Sequence, residues 1–140
     1  MVETHTVKFK TKGSGAIVDL TLEMKEAVAN SGVEDGTITA FVPGATGGIT
    51  TMEYEPGLLQ DVPEMMERLV PSDRGYQHDK TWQDGNGFSH LRAALIGPSV
   101  TVPFTRRNLL LGHWQQVVFL EFDNRPHDRE IIFQIMGDAG

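Results

Sequence analysis

A chain of 140 residues, 39% hydrophobic and 22% charged, is long enough to bury a core and fits one domain spanning residues 1–140. Its net charge of −7, with 12 scattered basic residues, argues against nucleic acid or an anionic membrane as partner, because displacing counterions from phosphates needs a dense positive footprint. The absence of cysteine excludes disulfides and thiolate metal sites. No run of about 18 apolar residues marks a membrane span, and MVETHTVKFK lacks the basic-then-apolar order of a signal peptide, so the expected location is the cytoplasm.

In chain order, HTVKFKTKG alternates polar and apolar with period two and reads as a half-buried strand with Val7 and Phe9 inward. SGAIVDLTLEM continues as a short strand or turn. LTLEMKEAVANSG reads as a helix, with Thr21 as N-cap, Gly32 at C′, and Met24, Ala27 and Val28 facing inward. GTITAFVPG is a strand with Ile38, Ala40 and Val42 on one side, ended by Pro43-Gly44. The glycine-rich PGATGGITTMEYEPG reads as a tight turn; its amides could face phosphate, but it lacks the ending of a P-loop.

Leu58, Val62, Met65, Met66 and Leu69 recur at helical spacing, in a helix that Pro63 interrupts or restarts with Asp61 as cap. A polar loop is expected from Pro71 to about Phe88, then two turns of helix over 89–96 with Ser89 as N-cap and Gly97 at C′. SVTVPFT is a strand whose Pro103 points to an edge or strand end. HWQQVVFLEFD and REIIFQIMG are strong strands, expected to form a hairpin across NRPHD. About seven strands against two or three helices make an α+β, β-rich fold: a mostly antiparallel sandwich carrying its helices on one face.

Alternation puts Trp114, Gln116, Val118, Leu120 and Phe122 on one face of their strand, and Gln115, Val117, Phe119, Glu121 and Asp123 on the other. Both faces are apolar in the middle, the pattern of a strand covered twice, which in a small protein points to a subunit interface. Glu121 is then either a solvated strand end or a buried carboxylate that needs a partner. If Ser89 caps its helix, His90 lies in the first turn, where the positive end of the helix dipole favours the neutral imidazole that a metal ligand or general base needs. His78 precedes it in GYQHDK. Neither His-x₃-His nor His-Glu-x-x-His occurs, so spacing alone favours an exposed or hydrogen-bonded structural role for both histidines over a site. Glu53 and Glu55 are acidic loop residues able to accept protons or bind a cation.

The series FVPGATGGIT…E…P, Y-x-H, N-x-x-x-HLRAALIGPSVTVP, LGHWQQVVFLEFD and R-x-I-x-x-x-IMG resembles the YjbQ family, also labelled secondary thiamine-phosphate synthase enzyme. The resemblance runs in order from the first strand to the last. It implies a jelly-roll-like sandwich assembled as a homotrimer, with His78 and His90 as a metal or active-site pair for a divalent ion such as zinc or magnesium. On this reading Glu53, Glu121, Asn86 and Gln115 are the catalytic candidates. Thr46, Arg92, Arg129 and Trp114 are candidates for binding a small phosphorylated ligand, with Arg125 as a further phosphate partner. The sequence departs from the family pattern at three places: Gly44 replaces a histidine, Met52 an asparagine and His113 a threonine. Loss of an imidazole at position 44 makes a trimeric small-ligand-binding protein without catalysis the alternative, and a purely structural trimer a third.

Overall fold

The structure is a computed structural model describing residues 1–140. In order it comprises β1 (Val2–Thr11), β2 (Ile17–Asp19), α1 (Thr21–Ala29), β3 (Asp35–Phe41), β4 (Gly47–Met52), α2 (Pro56–Leu69), α3 (Gln77–Trp82), α4 (Gly87–Ile96), β5 (Ser99–Thr105), β6 (Asn108–Leu109), β7 (Gln116–Glu121) and β8 (His127–Asp138). The strands form two antiparallel sheets, one of five strands ordered β1-β8-β3-β5-β6 and one of three ordered β2-β7-β4. This is the expected β-rich α+β sandwich, with four helices where two or three were expected. No helix is long and apolar enough to cross a membrane.

Period-two alternation decides which side chains meet between the sheets. Ile38 and Ala40 of β3, Val102 and Phe104 of β5, and Ile131, Phe133 and Ile135 of β8 turn inward against Ile49 of β4 and Val117 and Phe119 of β7. Val7 and Phe9 pack at the margin, and Met24 and Val28 of α1 join the same core. Burying each large apolar side chain contributes roughly 1.5–3 kcal/mol. The other face of β7 lies under helices: Val118, Leu120 and Phe122 pack with Met66 of α2 and Ala93 of α4. The doubly apolar strand is therefore covered within one chain, which corrects its reading as a subunit interface.

The expected hairpin is also corrected. β7 and β8 belong to different sheets, and β8 pairs with β1 and β3 instead. The segment 122–126 is a crossover between layers. The glycines read as a turn lie in part inside β4: a Cβ on Gly47 would stand 2.5 Å from the Phe119 ring, so glycine is what lets that ring fill the space.

Helix starts differ from expectation for local reasons. Thr21 is the first residue of α1, not its cap; Asp19 Oδ1 accepts from its amide at 2.9 Å, while its hydroxyl accepts from Val117 N–H at 2.9 Å and so satisfies the sheet. That helix ends at Asn30 as C-cap, two residues before Gly32. α2 is continuous through Pro63, with Glu55 as its cap, accepting from Gly57 at 2.9 Å and Leu58 at 2.6 Å. α3 occupies part of the expected loop. α4 begins two residues earlier than expected, with Asn86 as N-cap, and the Ser89 hydroxyl donates back to the Asn86 carbonyl at 2.6 Å.

Candidate functional site

Asp79 joins the two helices that carry the histidines. Its carboxylate accepts from Gly87 N–H at 2.8 Å, at the start of α4, and from Tyr76 N–H at 3.0 Å, just before α3. These two amides, Gly87 first, hold its carboxyl below the usual aspartate value. The junction lays the ring of His78 on that of His90, with centroids 4.2 Å apart and planes inclined by 37°. His78 Nδ1 is buried and makes no hydrogen bond. Asp84 stands 3.6 Å from it and Asp79 4.0 Å, beyond hydrogen-bond range.

The ligand atoms of His78, Asp79 and Asp84 all lie within 4.8 Å of one another. Metal–ligand bonds of about 2.0–2.2 Å place two ligands up to about 4.4 Å apart, so a small contraction lets these three share one ion. One imidazole with two carboxylates suits zinc, and the oxygens also suit magnesium. His90 does not join this convergent group; it packs on His78 and faces a cleft of about 240 Å³ lined with Gly44, Ala45, Gly47, Ala93, Ala94 and Pro98.

Asn86, 3% exposed, stands between two carboxylates. Its amide donates to Asp123 Oδ1 at 3.3 Å; turned over, it donates to both oxygens of Asp84, at 2.8 and 3.0 Å. In the first setting the carbonyl end meets the Asp84 carboxylate, and turning the amide over removes that repulsion. Asp123 is the better supplied of the two. It accepts from Asn124 N–H at 2.8 Å and pairs with His127 Nε2 at 2.5 Å. Burial pushes its carboxyl upward, but hydrogen bonds from His127, Asn124 and Asn86 outweigh it and hold the group below the usual range.

Glu121 and Arg129 form a different kind of assembly. Glu121, 1% exposed, receives Arg129 on both oxygens, Nε at 2.8 Å to Oε1 and Nη2 to Oε2. The Thr11 hydroxyl donates to Oε1 at 2.5 Å and Asp123 N–H to Oε2 at 3.1 Å. Arg129 Nη2 also reaches Thr46 Oγ1 at 2.9 Å. With both oxygens engaged, Glu121 is placed as a structural anion that holds β7 to β8, and Thr46 as its accessory. Arg92 is likewise committed: it is 3% exposed, bonds Val70 O through Nε at 3.0 Å and Nη2 at 2.8 Å, pairs with Glu67 at 2.9 Å, and so ties α4 to the end of α2.

Glu53, Trp114 and Gln115 lie elsewhere. Along the β4–β7 ladder, Gly47 faces Glu121 at one end and Met52 faces Gln116 at the other, five residue steps of ~3.4 Å, or about 17 Å. Gln115 donates to Thr51 Oγ1 at 3.2 Å and accepts from Gly112 N–H at 3.0 Å. Trp114 is 67% exposed, with the His113 ring edge-on at 4.5 Å, so His113 belongs to this far end. The sequence analysis does not single out Asp79 and Asp84, although both follow His78 within HDKTWQDGN; their signal is proximity to an imidazole, Asp79 as its neighbour and Asp84 across a chain reversal.

Residues 5–138 match the family described as UPF0047 protein YjbQ-like. A UPF0047 protein of Archaeoglobus fulgidus is 39% identical over 127 residues, covering 91% of this chain and 96% of its own. Another, from Methanothermobacter thermautotrophicus, is 35% identical over 136 residues, 97% of this chain and 93% of that protein. Among solved structures, a YbjQ-like protein of unknown function from Sulfolobus solfataricus superposes with a TM-score of 0.88 at 25% identity, covering 99% of this chain and 100% of that one. A YjbQ/UPF0047 protein of Clostridium acetobutylicum does so at 0.81, with 32% identity and 93% and 99% coverage. By sequence over nearly its whole length and by fold, the chain belongs to the YjbQ-like UPF0047 family.

Proposed function

We propose that this protein is a metal-dependent enzyme acting on a small phosphorylated substrate, in a reaction of the thiamine-phosphate synthase type, with the divalent ion held by His78, Asp79 and Asp84. The observation that carries this reading is the buried, unpartnered Nδ1 of His78 beside two carboxylates too distant to hydrogen-bond it. A ring nitrogen left without a partner in a buried position is costly, and an unpartnered ring nitrogen of neutral imidazole is available to a metal. A divalent ion, when bound, supplies charge to neutralise a phosphate leaving group. The chain's own residues do the rest. Asp79 is kept anionic by two backbone amides, Asn86 fixes the Asp84 carboxylate, and His90 stands between the ligand cluster and the cleft, positioned to exchange a proton with a bound molecule.

A homotrimer forms part of the proposal, because Glu53, Trp114 and Gln115 can meet the imidazoles only from another copy if they share one site. The large exposure of Trp114 is consistent with such a contact. The second reading, a small-ligand-binding protein without turnover, is favoured by Gly44, which leaves the cleft wall opposite His90 without a side chain. Elemental analysis and cation titration of wild type and His78→Ala test the first reading. Stoichiometric zinc or magnesium lost in the variant is the expected result. Equal metal content in both proteins, or none after loading, removes the metal and leaves ligand binding alone to be sought.

A further inference from the structure

We infer that this chain has an oxyanion-binding subsite formed by the backbone amides of Gly44, Ala45 and Thr46 together with Nη1 of Arg129, a site for phosphate or a phosphate monoester. Arg129 is a cation with a side chain only 8% exposed. Its Nε and Nη2 are spent on Glu121 and Thr46, but Nη1 donates to no group of the chain. That nitrogen lies 3.5 Å from where a Cβ on Gly44 would stand. Glycine at this position therefore uncovers the one free edge of a buried guanidinium.

The adjoining backbone points to the same ligand. None of the N–H groups of Gly44, Ala45 and Thr46 donates a hydrogen bond within the chain, although Thr46 is 8% exposed. Gly44 and Ala45 are exposed and Thr46 is buried, so three successive N–H groups beside a guanidinium are left free to donate, a donor set that suits a tetrahedral anion. Gly44 and Ala45 also line the cleft that His90 lines, while Thr46 and Arg129 stand behind them and outside that lining. Glu121 does not oppose it directly, since its carboxylate takes the Nε–Nη2 edge and neutralises the guanidinium from the other side. The inference deepens the reading of a phosphorylated substrate and rests on it for biological meaning, but not for the binding itself.

The experiment is a titration of ¹⁵N-labelled wild-type protein with inorganic phosphate in the presence of EDTA, followed by amide resonances and repeated with methyl phosphate. Saturable shifts at Gly44, Ala45 and Thr46 are expected. In Gly44→Ala, whose new methyl group occupies the space before Nη1, affinity should fall roughly ten-fold or more, as for loss of one charge-assisted hydrogen bond. Tighter binding of methyl phosphate than of phosphate identifies an esterified ligand as the occupant, and the reverse identifies the free ion; either supports the subsite. Shifts confined to other residues, or no saturation at these amides, overturn it. Shifts that require added zinc or magnesium also overturn it, by placing phosphate on the cation, while leaving the metal reading intact. Phosphate binding retained in a His78→Ala protein that never bound metal separates the two the other way.

Discussion

Two polar assemblies meet at the crossover after β7, where Asp123 touches both through Asn86 and Glu121, and they differ in satisfaction. Around Glu121 and Arg129 both carboxylate oxygens have donors, and Thr11, Thr46 and the Asp123 amide complete the shell. Around His78 and Asp84 an imidazole nitrogen is buried without a partner, and a carboxylate faces an amide that also serves Asp123. Both contain ionisable groups from the expected site. Completeness at the carboxylate distinguishes them: Glu121 has both oxygens engaged and only the Nη1 edge of Arg129 is left free, whereas the His78 cluster leaves its own ligand atoms unpartnered, free energy that an incoming ion can release.

Breaking the closed network should have the largest effect. Arg129→Met leaves Glu121 buried without its counter-charge and should cost about 3–5 kcal/mol in chemical denaturation. Adding Glu121→Leu should recover much of that loss. A double variant no more stable than Arg129→Met alone would mean that β7 and β8 depend on the ion pair itself.

The open cluster should respond to ligand. At about one hundred times its dissociation constant, zinc or magnesium should stabilise wild type by ~2.7 kcal/mol and His78→Ala by nothing measurable, read as a shift in melting temperature. Equal stabilisation of both proteins would place the ion elsewhere.

Asp123 borders both assemblies and gives a smaller effect with a definite pH dependence. Asp123→Asn should cost about 1–3 kcal/mol at neutral pH through lost hydrogen bonding to His127. Because the folded carboxyl is held below its unfolded value, near 3.9, its contribution is fully present above that value. It disappears as pH falls through the lower folded value. Denaturation curves of the two proteins should therefore converge below about pH 4. A difference that persists there would show that shape rather than charge holds Asp123. Smallest of all, His78→Ala without metal should cost about 0.5–1.5 kcal/mol through the lost ring contact with His90, since its Nδ1 makes no bond to lose.

Much of the architecture was legible locally. The alternation in GTITAF, SVTVPF and QQVVFLEF reports burial directly, because successive side chains of a strand point to opposite faces. It also announced β7 as covered on both sides. Local pattern could not say what covered it, and α2 and α4 took the place assigned to a neighbouring subunit. Nor could it pair the strands. Two strong strands joined by a short polar segment read as a hairpin, yet the chain crosses from one sheet to the other between them. Both faces of β7 needed apolar cover, and β8 was already flanked by β1 and β3.

The family membership and the pair of histidines were likewise written in the sequence, in motifs carried by contiguous residues. The standing of each candidate was not. Thr11 and Glu121 are 110 residues apart, and Thr46 and Arg129 are 83, so no window of sequence shows that this carboxylate and this guanidinium are already partnered. The sequence by itself determined which segments alternate, which are amphipathic, and which residue types are available for chemistry. Only the tertiary structure decided that Glu121 is closed, that Glu53 and Gln115 stand past the far end of a ladder about 17 Å long, and that His78 with Asp79 and Asp84 is left open. Availability is a property of the partners that folding brings from far along the chain, and a polar group's chemistry begins where that supply ends.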